Sequence, residues 1–328
     1  MICRTLRFVC LHLAGAAVLI CLSLFIGQIA AQQKSSKETA QKSAASAAPL
    51  SVQPPDKETV NAFLDATWGY MGTRSWQVQT IEKTPAEGVS KVTILVTDKG
   101  EKEQSEQLVF YTLPDGKHII VAGSGELIDF SAHPFAEVRA ILAERANGPY
   151  QGVAPKDLEL VEFADLQCPL CKEKLTDMEK LAQDFPKARI VFQYYPIEQY
   201  HPAAFKAAAY GVCVNKQGGG AAFFTYATEV YAHQEELTTA DGSTPILNNA
   251  VVKAGLDPAR IAACAIASDV KEQIRASVQL AKDLNIGQSA GTIPTLVVNG
   301  RIITMKDVPY ETLKQIVASQ AKLDGAAN

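Results

Sequence analysis

The sequence predicts a mixed protein of two folded parts, a small α+β domain over residues 57–149 and an α/β domain over residues 155–326. Three observations carry that prediction. Four β-rich runs between residues 76 and 122 are separated by turn clusters; a buried-looking strand at 158–163 opens a β-α-β succession that closes at 194; and Asn147-Gly148-Pro149 interrupts the chain between the two patterns. At 328 residues the chain is long enough for two average domains, and no repeat runs through it.

A composition of 47% hydrophobic and 20% charged residues is that of a globular protein. The 31 basic and 35 acidic residues leave a formal charge of −4, and no basic stripe marks a nucleic-acid partner. At the N-terminus, Arg4 and Arg7 precede an apolar run from Phe8 to Ala31 that ends on small residues, the pattern of a secretory signal. The same run meets the roughly 20 apolar residues that a membrane span needs. Residues 1–31 therefore read either as a cleaved signal or as an N-terminal anchor. A lipid anchor at Cys21 fits less well, because bulky Ile20 precedes it where a small residue is usual. Each reading puts the rest of the chain in a periplasmic or extracytoplasmic compartment. Residues 32–56, rich in Ser, Ala, Gln, Lys and Pro, have little to bury and read as a flexible tether.

Val60, Phe63, Leu64 and Trp68 recur at helical spacing and predict an amphipathic helix over 57–71. Strands are expected at 76–81, 89–97, 107–113 and 118–122, separated by Pro85-Ala86-Glu87-Gly88, Asp98-Lys99-Gly100 and Pro114-Asp115-Gly116. A helix over 134–146 completes the first domain. In the second, the strand at 158–163 leads into a helix carrying Leu175, Met178, Leu181 and Phe185 at helical spacing, stopped by Pro186, and then a strand at 189–194. Residues 202–284 are mostly helical in pattern, broken at Gly218-Gly219-Gly220 and around 241–245. Strands at 295–298 and 301–303 turn about Asn299-Gly300, and a last helix covers 309–323.

Of seven cysteines, Cys3, Cys10 and Cys21 lie in the export segment, leaving Cys168, Cys171, Cys213 and Cys264. An even set in an oxidising compartment favours pairing. The Cys168-Pro169-Leu170-Cys171 motif stands between a strand and a helix, which suits thiol–disulfide exchange. That chemistry needs one accessible, largely ionised thiol and a second near enough to release the mixed disulfide. A helix N-terminus aims unpaired N–H groups at the first sulfur and lowers its pKa. Pro169 belongs in the first helical turn, where no N–H is required. Cys168 is then the attacking thiol and Cys171 the resolving one; Lys172 and Lys174 add positive potential and Asp165 opposes it. A zinc site wants four ligands, and neither a second CxxC nor paired histidines supply them, so no metal and no cofactor are expected. An inert structural disulfide is not excluded by the spacing alone.

Taken together, these residues resemble the thioredoxin superfamily, and within it the DsbA-like branch with a helical insertion at about 202–284. The resemblance rests on Val161 to Cys171 as strand, loop and active-site helix, on Tyr195-Pro196 and His201-Pro202 opening the insertion, and on Gly291-Thr292-Ile293-Pro294-Thr295 before the Asn299-Gly300 hairpin. It implies that Pro294 is a cis-proline facing the redox motif, with the Ile293 backbone left to pair with substrate. It implies that Glu162 is a buried acid below the resolving thiol, with a pKa raised by burial, relaying its proton; an exposed strand end is the plain alternative. It further implies a structural disulfide between Cys213 and Cys264, set against two buried free thiols. Pro-Leu in place of Pro-His between the cysteines, and Ile293 before the proline, leave the direction of electron flow open.

The expected function is an extracytoplasmic protein thiol–disulfide oxidoreductase, acting as a disulfide donor on unfolded or cysteine-containing exported proteins and recharged by a membrane or soluble redox partner. An isomerase, a reductase, or a binding protein with a structural CxxC are the alternatives. The N-terminal domain, chiefly through residues 110–120, weakly resembles the dimerisation domain of exported disulfide isomerases, and a generic small α+β module explains the same pattern; the resemblance implies a homodimer, which a monomeric mass would exclude.

Overall fold

The computed structural model describes residues 53–99, 103–152, 157–289 and 291–326. The export segment and most of the tether lie outside the described residues. Helix α1 (Lys57–Trp68) starts on Asp56, whose carboxylate accepts from the Thr59 amide at 2.7 Å. Its apolar stripe, Val60, Phe63 and Leu64, packs on an antiparallel sheet of β1 (Arg74–Lys83), β2 (Ser90–Lys99), β3 (Glu103–Thr112), β4 (His118–Val121) and β5 (Leu127–Asp129), in that order. Val78, Val92, Ile94, Val96, Phe110 and Ile119 form the sheet's side of this core. The short β5, made of Leu127, Ile128 and Asp129, carries no sequence pattern that predicts it. Helix α2 (Ala136–Arg145) follows.

The second sheet has the order β10-β9-β7-β8-β6. Its centre is β7 (Glu159–Ala164), buried at every position and parallel to β8 (Arg189–Tyr194), with α3 (Pro169–Asp184) as the crossover. The edge strand β6 (Tyr150–Gly152) pairs with β8 where the sequence shows only a Gly/Pro interruption. On the other side, β9 (Thr295–Val298) and β10 (Arg301–Thr304) form a hairpin. Both turn residues have positive φ, 45° at Asn299 and 96° at Gly300, as a two-residue hairpin turn requires. A side chain at position 300 would also meet the Phe135 carbonyl, so α2 and the hairpin turn approach at their backbones.

Leu158, Leu160, Ile190, Leu296 and Val298 pack with Met178 and Leu181 of α3 and with Leu313 and Val317 of α8 (Tyr310–Leu323). Val161, Phe163, Val191 and Phe192 belong to the larger core shared with the helical segment. That segment comprises α4 (Ala204–Ala232), α5 (Thr244–Lys253), α6 (Pro258–Ala265) and α7 (Ser268–Asp283). The Gly218-Gly219-Gly220 break is a kink within α4, where Gly219 takes φ 76°. Phe223, just past the kink, lies against Phe192 and Tyr194 with ring centroids 5.0 and 5.7 Å apart. Cys213 in α4 and Cys264 in α6 are joined by a disulfide, Cα atoms 6.0 Å apart.

Gln53–Asn328 form one compact unit, and a buried arginine joins the first helix to the second sheet within it. Arg301, on β10, is 8% exposed and donates to the last carbonyls of α1, Thr67 at 2.9 Å and Ala66, while its Nε reaches Gln320 at 3.1 Å. A cation at a helix C-terminus meets both the unsatisfied carbonyls and the negative dipole end. Burial lowers the Arg301 pKa to about 10, and Phe135 stacks on the guanidinium at 4.2 Å. Among the described residues no helix is long and apolar enough to cross a membrane.

Candidate active site

The β7 to α3 junction sets the site. Asp165 to Gln167 turn the chain out of the sheet, Cys168 is the N-cap of α3 in extended conformation, and Pro169 takes the first helical position. No side chain caps the helix, so its first amide groups are left for the Cys168 sulfur. Cys168 and Cys171 are both free thiols. The Cys168 thiol is lowered to about 7, first by a hydrogen bond from the Cys171 thiol, then by the Cys171 and Leu170 amides, against the opposing effects of burial and of Asp165. Cys171 moves the other way, pushed well above the ordinary thiol range by burial and by its neighbour's charge.

The two sulfurs differ most in what they border. The sequence expects an accessible attacking thiol, yet Cys168 is only 5% exposed, against 1% for Cys171. Cys168 borders an open groove of about 710 Å³ lined by Tyr195, Pro196, Tyr200, His201, Gly287 and Ile293. Cys171 lines a separate cavity of about 560 Å³ together with Glu162, Met178, Phe192 and Tyr231. One sulfur is reached from the groove and its neighbour is not, because the helix N-terminus stands at the edge of the core.

The Ile293–Pro294 peptide bond is cis, and the Ile293 carbonyl lies 4.0 Å from the Cys168 sulfur. Pro294 precedes β9, which pairs with β7 in antiparallel register, Leu296 opposite Glu162 and Thr295 opposite Phe163. That pairing brings residues 125 apart in sequence to the same end of the sheet. Glu162 shares a face of β7 with Leu160 and is 8% exposed. Its carboxyl makes no hydrogen bond or ion pair with another described residue, and burial pushes its pKa up to about 8. Leu170 sits with Cys168 on the groove. Lys172 and Lys174 are held by Glu235 and Asp177, at 2.7 and 3.0 Å, and contribute less positive potential than their positions suggest.

Asp165 has a larger part than sequence reasoning gave it. The Asp165 carboxylate, fully buried, accepts from the Gln167 amide at 2.7 Å and the Ile197 amide at 2.8 Å and pairs with His201 Nδ1 at 2.7 Å. It ties the loop after β8 to the loop before Cys168. The bond to Asp165 raises the His201 pKa above its ordinary value, with a further contribution from Cys168. Nothing in the spacing signals this set, since Ile197 and His201 lie more than 30 residues from Asp165; the one available sign is a charged residue between two apolar ones just before CxxC. Among the described residues no group of three or more His, Cys, Asp or Glu side chains is placed to hold a metal.

The family model described as Thioredoxin matches residues 145–319, more than half of the 328-residue chain. The chain belongs to the thioredoxin family. Among curated proteins it is similar to Na(+)/H(+) antiporter NhaA 1 of Mycobacterium sp. strain KMS, 28% identical over 167 residues, which are 50% of this chain and 25% of that protein. Na(+)/H(+) antiporter NhaA 3 of Salinispora tropica is 32% identical over 91 residues, 28% of this chain and 14% of that protein. The matched segment thus spans about a quarter or less of these relatives' length. Similar solved structures include ScsC of Proteus mirabilis in a transitional conformation, with 20% identity, a TM-score of 0.45, and 57% of this chain and 76% of that one covered. A periplasmic thioredoxin-like protein of Salmonella enterica serovar Typhimurium gives 22%, 0.45, 57% and 97% in the same order, and the thiol-disulfide exchange protein alpha-DsbA2 of Wolbachia pipientis gives 20%, 0.46, 56% and 95%.

Proposed function

We propose that this thioredoxin-family chain is an extracytoplasmic thiol–disulfide oxidoreductase that donates disulfides to cysteine-containing exported proteins. The observation that carries the reading is the separation of the two CPLC sulfurs. Cys168, lowered to about 7, borders the groove beside Ile293, while Cys171 lines a separate cavity beside Glu162. In the donor direction a substrate thiolate attacks Cys168 of the Cys168–Cys171 disulfide, the intramolecular S–S bond breaks, and Cys171 leaves as a thiolate that takes a proton from Glu162. A second substrate thiolate then attacks the mixed disulfide and releases Cys168 as a thiolate. Two electrons pass to the protein, and a membrane or soluble disulfide partner must remove them. The Ile293 backbone before Pro294 is suited to pair with an extended substrate segment in the groove. In this reading residues 57–149 are a domain docked on the 155–326 thioredoxin-like domain through Arg301, and residues 1–31 deliver the chain out of the cytoplasm.

The Pro-Leu pair favours a second direction for the same site. Without a histidine inside the motif the reduced form is less stabilised, which moves the protein toward isomerase or reductase chemistry; about 30 mV corresponds to about 1.4 kcal/mol for this two-electron couple. Replacing Cys168 with Ser tests the reading. Exchange with a thiol peptide is expected to fall to background, and exchange persisting at the unmodified rate would make CPLC a structural pair and the chain a binding protein.

A further inference from the structure

The groove beside Cys168 does not end at the active site. It continues along α7 into a second depression of about 680 Å³, and the two share Pro196, Glu198, Val278 and Lys282 as lining. The floor of the extension is apolar, with Phe205 and Ile274 among its residues. Its wall is cationic: Lys271, Arg275 and Lys282 lie at positions i, i+4 and i+11 of α7 and so share one helix face. All three are exposed, and none has an ion pair with a described residue.

The acids nearest them along α7 are paired elsewhere or face away from the groove. Asp269 pairs with Lys216 and Asp283 with Arg145, both at 2.7 Å, and Glu272 does not line the groove. Among the described residues Glu198 is the one carboxylate lining either depression, and His201 in the first is already held by Asp165. Three unpaired cations against one carboxylate give this wall a positive sign on a chain whose formal charge is −4. The stripe runs for about 16 Å at 1.5 Å per residue, the length of roughly five extended residues.

Resting on the exchange reading of Cys168, we infer that the α7 wall selects substrates, favouring polypeptide segments that carry acidic residues beside the reacting cysteine. An unfolded segment held at Cys168 runs along the groove, and its carboxylates meet Lys282, Arg275 and Lys271 in turn. Because the cations are exposed, the attraction acts mainly on encounter and is screened by salt.

The test uses the full chain, oxidised at CPLC, and two fluorescent peptides with one cysteine each, identical except for four Glu or four Gln on one side of it, with the Glu block placed on either side in separate peptides. At low ionic strength the better Glu peptide is expected to form the mixed disulfide about fivefold faster than its Gln counterpart, and the ratio to fall toward one at about 0.5 M salt. In the K271E/R275E variant the ratio is expected to drop below one; reading a ratio cancels any general change in reactivity. Equal rates for Glu and Gln peptides in the unmodified protein, or an unchanged ratio in the variant, would overturn the inference. Dithiothreitol separates the two levels of the argument: if it too fails to reduce CPLC, the exchange reading itself falls, whereas brisk reaction with equal peptide rates removes the substrate preference alone.

Discussion

The chain carries two cysteine pairs in its described part, and what separates them is their place in the fold rather than their exposure. Cys168 and Cys171 stand one turn apart at the uncapped start of α3, one on the groove beside Ile293 and the other on a separate cavity beside Glu162. Cys213 and Cys264 are 51 residues apart and join α4 to α6 within the helical segment, with Cys213 fully buried and Cys264 partly exposed. The first pair closes a loop too short to constrain the unfolded chain and is placed for attack. The second closes a long loop and offers no helix N-terminus to its sulfurs. Reactivity and stabilisation are therefore divided between pairs by placement in the fold.

The sharpest way to break this division is at Cys168. Its replacement by Ser should lower the exchange rate by at least about 1,000-fold, read by mixed-disulfide formation, with thermal stability nearly unchanged. The reciprocal change, Cys213 and Cys264 both to Ser, should lower unfolding free energy by about 2–4 kcal/mol in a denaturant titration, near the loop-entropy limit for a 51-residue separation. Exchange with a small dithiol should survive that change. If the effects were reversed, the assignment of roles would be reversed with them.

Glu162 sharpens the contrast from the inside. Its carboxyl titrates at about 8 in the folded protein and near 4.5 when unfolded. Below pH 4.5 both states hold the proton; as pH rises from there toward 8, only the unfolded chain loses it, so the folded state is progressively disfavoured. The expected slope is up to about 1.4 kcal/mol per pH unit in that window. Glu162→Gln should flatten it, and an unaltered pH–stability curve would show that the carboxyl is solvated. The smallest effect belongs to Cys171. Its thiol is the first cause of the low Cys168 pKa, so Cys171→Ala should move the pH midpoint of Cys168 alkylation upward by about one unit, toward an ordinary thiol.

Much of the fold was legible because hydrophobic periodicity and turn chemistry act locally. Pro169 stands at the first helical position, Asn299-Gly300 forms the hairpin turn, and β8 spans Arg189–Tyr194 as its pattern predicts. The features that escaped are non-local or too short to have a pattern. Strand β6 has three residues next to Pro149 and exists because β8 has a free edge to pair with. Asp165 was read as a charge opposing the thiolate. It does oppose it, but its carboxylate also binds Ile197 and His201, and no spacing rule connects these positions. Arg301 caps α1 across more than 230 residues. The low exposure of Cys168 escaped for the same reason, since Ile293, whose carbonyl lies 4.0 Å from its sulfur, comes from a distant part of the chain.

The central claim is that one cysteine pair exchanges and the other only holds the structure. Mass-resolved alkylation of the full chain across a glutathione redox titration tests it most directly, counting which cysteines become free at each potential. The account predicts that Cys168 and Cys171 open together while Cys213 and Cys264 stay linked, down to potentials that reduce structural disulfides, below about −300 mV. Opening of Cys213–Cys264 at the same potential as CPLC, or before it, would contradict the account.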